Sequence, residues 1–141
     1  MIQKQSKLKI IDNTAGKLGR CIHVYDKKRG IANIGDVILV SVIEIDKDKH
    51  QKSPQTMLKI KKGDIHKAII VRTKKEFSGG KGYINKISYR ERYDDNSIIL
   101  IQGDRKNITP LGNRVTQPIS RRISDKPGLE KILAIAPSLI L

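Results

Sequence analysis

The chain has 141 residues and carries 29 Lys+Arg against 14 Asp+Glu, a formal net charge of +15. That length suits a single domain with one modest core, and 38% hydrophobic residues with a mean hydropathy of −0.41 are globular rather than membrane-like or disordered. The longest apolar run, Ile132 to Ala136, is five residues, far short of the roughly eighteen that a membrane-spanning helix needs.

The apolar segments are short and β-branched. Lys7-Leu8-Lys9-Ile10 alternates as a half-buried strand does, and Cys21 to Tyr25 reads as a second strand. Asp36 to Ile45 is the clearest strand. Ile65 to Thr73 is the fourth, with Ala68-Ile69-Ile70-Val71 at its heart, and Ile98 to Ile101 is the fifth. Breakers lie between them: Asn13 to Gly19, Arg29-Gly30, Asn33 to Gly35, Ser53-Pro54, Lys62-Gly63-Asp64, Gly79 to Gly82 and Asp94 to Asn96. Asp46 to Met57 reads as a loop. Five such strands without a long helical pattern predict a mainly β fold, a small five-stranded antiparallel barrel whose closure removes exposed edges.

The last third changes character. Thr109 to Asn113 reads as a turn, and Pro118 to Ile123 as one helical turn, with Gln117 before it and Pro127-Gly128 as a stop. Leu129, Ile132, Leu133 and Ala136 fall at i, i+3, i+4 and i+7, which favours a short helix ending before Pro137 over the short strand that ambivalent Ile and Leu also allow. The domain organisation expected is one domain over 1–141, with a barrel over about 1–104 and a helical and loop segment over about 105–141.

The charge is not a tail. Residues 1–70 carry 15 basic and 7 acidic side chains and residues 71–141 carry 14 and 7, so a folded cationic surface is implied, and its natural partner is a polyphosphate. One cysteine, Cys21, excludes an internal disulfide and a multi-cysteine zinc site; in its apolar string it reads as a small buried hydrophobe. His23, His50 and His66 belong to no metal-ligand cluster and read as packed or surface imidazoles. Gly80-Lys81 fails as a phosphate loop, because Lys75 stands at the first glycine position and Gly82 where Ser or Thr would bind magnesium; it reads as a hairpin tip. Asp94-Asp95 reads as turn capping. No catalytic constellation, metal site or cofactor is expected. The first residues show neither a signal-peptide apolar stretch nor an organellar presequence, so the protein is expected to work where it is made.

Six basic clusters flank strands or turns: Lys27-Lys28-Arg29, Lys59 with Lys61-Lys62, Arg72 with Lys74-Lys75, Arg90 with Arg92, Arg105-Lys106, and Arg121-Arg122. From strand ends, basic side chains reach phosphate oxygens while the strands stay rigid. One Phe, four Tyr and no Trp are too few for base-stacking platforms, and there is no recognition helix or finger. What remains is structured RNA read through its backbone and shape, either within a particle or by a free-standing basic RNA-binding barrel.

Several ordered blocks resemble one family. Met1 to Ser6, Asp12-Asn13-Thr14-Ala15-Gly16, Gly35-Asp36, Lys61 to Lys75, Tyr93 to Leu100, Gly112 to Ile119 and Leu133 to Pro137 are similar to successive motifs of the universal large-subunit ribosomal protein fourteen family. The resemblance covers essentially the whole chain and implies a five-stranded barrel with a projecting β-ribbon and a C-terminal segment with two short helices. It implies no enzyme but a structural constituent of the large ribosomal subunit, bound to large-subunit rRNA. It further implies bridges to small-subunit rRNA, contacts with ribosomal proteins of types three and nineteen, and a docking site for a ribosome-silencing factor. By position, Lys61, Lys62, Arg72, Lys74 and Lys75 become rRNA-contact candidates beside Lys27, Lys28 and Arg29, and Arg114, Arg121 and Arg122 become candidates for rRNA or bridge contacts. The chain departs from the family in a longer span from Phe77 to Arg92, in an extended loop from Asp46 to Met57, and in Gln117, which stands where a glycine usually precedes Pro118. Finally, 24 Ile and 20 Lys against 9 Arg fit very A- and T-rich codons, which points to a mitochondrial ribosome and an organelle-encoded chain, with the bacterial cytoplasm as the alternative.

Overall fold

In the computed structural model, residues 1–25, 28–52, 60–75, 92–103 and 107–140 are described. Each expected strand forms, with adjusted ends: β1 (Lys7–Ile10), β2 (Gly16–Val24), β3 (Val37–Ile45), β4 (Ile65–Arg72) and β5 (Ser97–Gln102). They hydrogen-bond in chain order, and β1 also pairs with β5, which closes the barrel. Neighbouring ladders are antiparallel, but the closing one, Lys9 opposite Ser97 and Ile10 opposite Ile98, is parallel. An odd number of strands that alternate in direction leaves the first and last running the same way, so the seam has no other choice.

Leu8 and Ile10 on β1, Val40 on β3, Ala68 and Ile70 on β4, and Ile98 and Leu100 on β5 are buried and share the inward face set by the register. Gly16 and Gly19, expected as breakers, instead begin β2. A Cβ on Gly16 would lie 2.8 Å from Ile10 Cδ1, so any larger residue there would force the end of that side chain to shift. The strand expected over Cys21 to Tyr25 is not regular. A register shift between Cys21 and His23 buries Cys21 and Val24 and turns Ile22 and His23 outward, and β2 stops before Tyr25. Cys21 is buried, as expected, and burial pushes its thiol pKa up against the opposing influence of the Lys4 charge and a backbone hydrogen bond at His23.

A second apolar layer covers one wall. Along β5, Ser97 to Ile101 are buried one after another. The register sends Ile98 and Leu100 inward, so Ile69 of β4 and Ile99 of β5, which oppose each other, face outward, and both are 0% exposed. The C-terminal segment provides their cover. Its β7 (Ile119–Ser120) lies against β4, and Ile119, Ile123, Leu129 and Ile132 join the same core. The one helical turn expected over Pro118 to Ile123 forms in its second half, as a 3-10 turn at Arg121–Ile123, while Ile119 and Ser120 pair in parallel with β8 (Leu139–Ile140). The apolar stripe does form a helix, α2 (Glu130–Ile135), with Ile132 fully buried and Leu133 and Ala136 partly so. Likewise the expected turn at Thr109 starts as β6 (Thr109–Pro110), an extra strand on the end of β5.

The stretch from Asp46, read as a loop, contains α1 (Lys47–Lys52); Asp46 Oδ1 accepts the N–H groups of Asp48 at 3.1 Å and Lys49 at 3.5 Å, as an N-cap does. The hairpin tip expected at Gly79 to Gly82 and the long span from Phe77 to Arg92 lie outside the described residues, apart from Arg92 itself, so the expected projecting β-ribbon is not seen among the described residues. No helix among the described residues is long and apolar enough to cross a membrane.

Candidate nucleic-acid interface

β4 places two lysine pairs at its opposite ends. Lys61 and Lys62 precede it and Lys74 and Lys75 follow it, so the eight residues of the strand hold them roughly 25 Å apart or more. The sequence cluster Lys61 to Lys75 is therefore two surfaces, not one patch.

At the first end, Lys61-Lys62-Gly63-Asp64 is a tight turn. The Asp64 carboxylate accepts the Lys61 N–H at 2.8 Å, the Asp64 N–H donates to the Lys61 carbonyl at 3.2 Å, and Gly63 sits at φ +91°. That left-handed conformation favours glycine. Both lysine side chains are exposed on this fixed turn. His66 is mostly buried beside it, with Nε2 4.0 Å from Asp64, in keeping with a packed imidazole.

At the other end, Thr73 is buried and Lys74 N–H donates to Asn96 Oδ1 at 2.8 Å, so the chain leaving β4 is tied down while Lys74 and Lys75 stay exposed. Lys28 and Arg29, also exposed, lie between β2 and β3, and β3 begins opposite Ile69 near this same end. The Ile2–Ala32 bridge brings the first residues here too, within range of the Lys75 charge. Lys27, Lys59, Arg90, Arg105 and Lys106 lie outside the described residues. Among the described residues no ion pair involves Lys28, Arg29, Lys61, Lys62, Lys74 or Lys75.

Arg72 is placed differently from its neighbours. Its guanidinium is only 11% exposed and turns into the protein. Nη2 donates to Asp95, to Gln117 Oε1 and, at 3.3 Å, to Ser97 Oγ; Nη1 reaches the Pro118 carbonyl at 3.5 Å, and the group lies over the Tyr93 ring at 5.7 Å. Asp95 is thus an ion-pair acceptor rather than the turn cap expected of it, and Lys9 approaches its other oxygen at 3.5 Å. Partial burial opposes ionisation of Asp95, but the Ser97 hydroxyl, the charge and hydrogen bond of Arg72, and Lys9 outweigh it, so its carboxyl is held below the usual carboxylate range.

Arg114 is exposed on a backbone that Asp12-Asn13-Thr14 secures. Asn13 Oδ1 accepts the N–H groups of Asn113 at 2.9 Å and Arg114 at 3.2 Å, and Asn13 N–H donates to the Arg114 carbonyl at 2.9 Å. Gly112 allows that approach, since a Cβ there would lie 2.6 Å from Asn13 Oδ1. The buried Asp12 accepts the N–H groups of Leu100 and Thr14, each at 3.0 Å, and the Thr14 hydroxyl. Burial raises its pKa against those bonds and the charge of Lys49. Arg121 is exposed and Arg122 half-buried on the 3-10 turn, whose start is capped by Ser120 Oγ accepting Arg122 N–H at 3.3 Å.

Register also assembles cations that reading by clusters does not find. Lys7 on β1 lies directly opposite Arg20 on β2, both exposed. Like charges so placed repel, and an external anion relieves the repulsion. The signal was present in Lys7-Leu8-Lys9-Ile10, whose alternation puts both lysines outward, but the pairing with Arg20 needs the sheet. Among the described residues no three His, Cys, Asp or Glu side chains group as metal ligands. What the surface can do chemically is neutralise phosphate, with cations carried on anchored turns and strand ends.

The fold and these surfaces define a small basic β-barrel protein with a C-terminal layer on one wall. The family described as ribosomal protein L14p/L23e matches residues 1–140, and the chain belongs to that family. It is a family of structural proteins of the large ribosomal subunit and not of enzymes.

Proposed function

We propose that this protein binds large-subunit rRNA through two separate cationic surfaces, Lys61-Lys62 at one end of β4 and Lys74-Lys75 with Lys28 and Arg29 at the other, and that Arg114, Arg121 and Arg122 serve rRNA or bridge contacts. The observation that carries the reading is the anchoring of the lysine backbones: the side chains are exposed, outside ion pairs among the described residues, and sit on turns fixed by Asp64 and Asn96. With the backbone already fixed, only side-chain freedom is lost when such a cation meets a phosphate. Family membership supports further contacts with small-subunit rRNA, with ribosomal proteins of types three and nineteen, and with a ribosome-silencing factor. The Ile- and Lys-rich composition supports a mitochondrial ribosome; recovery of the tagged protein only with non-mitochondrial particles overturns that placement.

The test reverses two charges. Lys74→Glu with Lys75→Glu leaves the isolated protein folded, because both side chains are exposed, but depletes it from large subunits in gradients run at moderate salt. Normal incorporation of the double variant removes this surface from the rRNA interface.

A further inference from the structure

Arg72 stands in the middle of a basic sequence cluster, yet its guanidinium is committed inside the protein, and what it holds is the C-terminal segment. Two polar ties fasten that segment on either side of the Arg121–Ile123 turn. Before the turn, Arg72 grips the Gln117 side chain and the Pro118 carbonyl while Asp95 holds Arg72 in place. After it, Lys126 Nζ meets Asp36 Oδ1 at 2.8 Å, and Asp36 Oδ2 is itself fixed by the Asn33 N–H at 2.8 Å. Gly35, at φ +80°, leaves room for the lysine stem: a Cβ there would lie 2.6 Å from Lys126 Cδ. Between the ties, Ile119 and Ile123 are fully buried, so the turn presents Arg121 outward from a fixed base.

Apolar burial of this segment is far larger than anything two polar ties contribute, so burial supplies most of the attachment and the ties fix its placement. Apolar contacts are non-directional, however, whereas a guanidinium with several partners fixes position and angle. We propose that Arg72 is a positioning residue for RNA binding, acting through Gln117 and Pro118 to set where Arg121 and Arg122 stand, and that it makes no phosphate contact of its own. Asp36 with Lys126 sets the other side of the same turn. This inference rests on the RNA-binding reading above.

The experiment measures affinity of the full-length protein for labelled large-subunit rRNA over a series of KCl concentrations. Arg72→Met, Gln117→Gly and the pair Arg121→Gln/Arg122→Gln are compared singly and combined. Gln117→Gly is the decisive variant, because Gln117 carries no charge and its loss leaves the Arg72–Asp95 pair intact. The expected result is a loss of about tenfold for Arg72→Met and about three- to tenfold for Gln117→Gly in the native background, with neither adding to the loss in the Arg121→Gln/Arg122→Gln background. If Arg72→Met weakens binding by the same factor in both backgrounds and flattens the salt slope by one phosphate contact, Arg72 touches RNA directly and the proposal fails. It fails too if Gln117→Gly binds as the native protein does. Should Arg72→Met fold poorly in a thermal melt, Gln117→Gly carries the comparison alone. A native protein that shows no salt-dependent binding refutes the RNA-binding reading itself, which is a distinguishable result.

Discussion

Replacing Ile132 by Ala tests whether the C-terminal segment is an integral layer or an appendage. Ile132 is 0% exposed on α2 and belongs to the same apolar core as the outward-facing side chains of β4 and β5. Truncating a fully buried isoleucine costs about 2–5 kcal/mol, part from lost transfer and part from the cavity left behind. Unfolding entropy near about 2.1 cal/mol/K per residue gives roughly 0.3 kcal/mol/K for this chain, so a loss of about 3 kcal/mol lowers Tm by about 10 °C. Differential scanning calorimetry of the native protein, Ile132→Ala, and the exposed control Lys131→Ala measures this. A single transition that shifts as a whole for Ile132→Ala, with Lys131→Ala within about 0.5 kcal/mol of native, supports one cooperative core. A Tm within about 2 °C of native for Ile132→Ala, with amide protection lost only in residues 111–140, would refute the two-layer description.

Two further outcomes follow from the turns and the buried charges. Gly63→Ala costs about 1–2 kcal/mol, because Gly63 sits at φ +91° with no atom within 4 Å of a new Cβ, so the effect is backbone strain alone; Gly63→Asn costs less, and urea midpoints that do not move rule out the left-handed turn. For Asp95, whose folded pKa is depressed, the ionised carboxylate adds stability that is present above the unfolded value near about 3.9 and is lost as pH falls through the lower folded value. Asp95→Asn is therefore less stable than native at neutral pH and converges with it in acid; a stability gap constant across that range contradicts the ion pair.

The strands were legible because their physics is local. Lys7-Leu8-Lys9-Ile10 alternates on a half-buried sheet, and Asp64 and Asp36 sit after glycines that only tight turns require. α2 was legible from one apolar stripe, and the buried Cys21 from its neighbours. The α1 helix was missed although its signal, Asp46 ahead of Lys47 to Lys52, was there to be read as a cap. Other features had no local signal. Gly16 at the start of β2 looks like a breaker until the neighbouring strand brings Ile10 Cδ1 within 2.8 Å of its Cβ position, and a bulge between Cys21 and His23 changes which faces are wet without changing composition.

What the sequence determined by itself was a basic β-barrel of known family resemblance, because side-chain alternation, turn glycines and charge are properties of neighbours along the chain. Which cations are available was decided only by the tertiary structure. Arg72 and Lys74 are two residues apart, yet one is locked against Asp95 and Gln117 and the other faces outward. Lys7 and Arg20 are thirteen positions apart and stand side by side. A charge's role depends on the groups that surround it in space, and for Arg72 those come from residues 21 to 46 positions further along the chain.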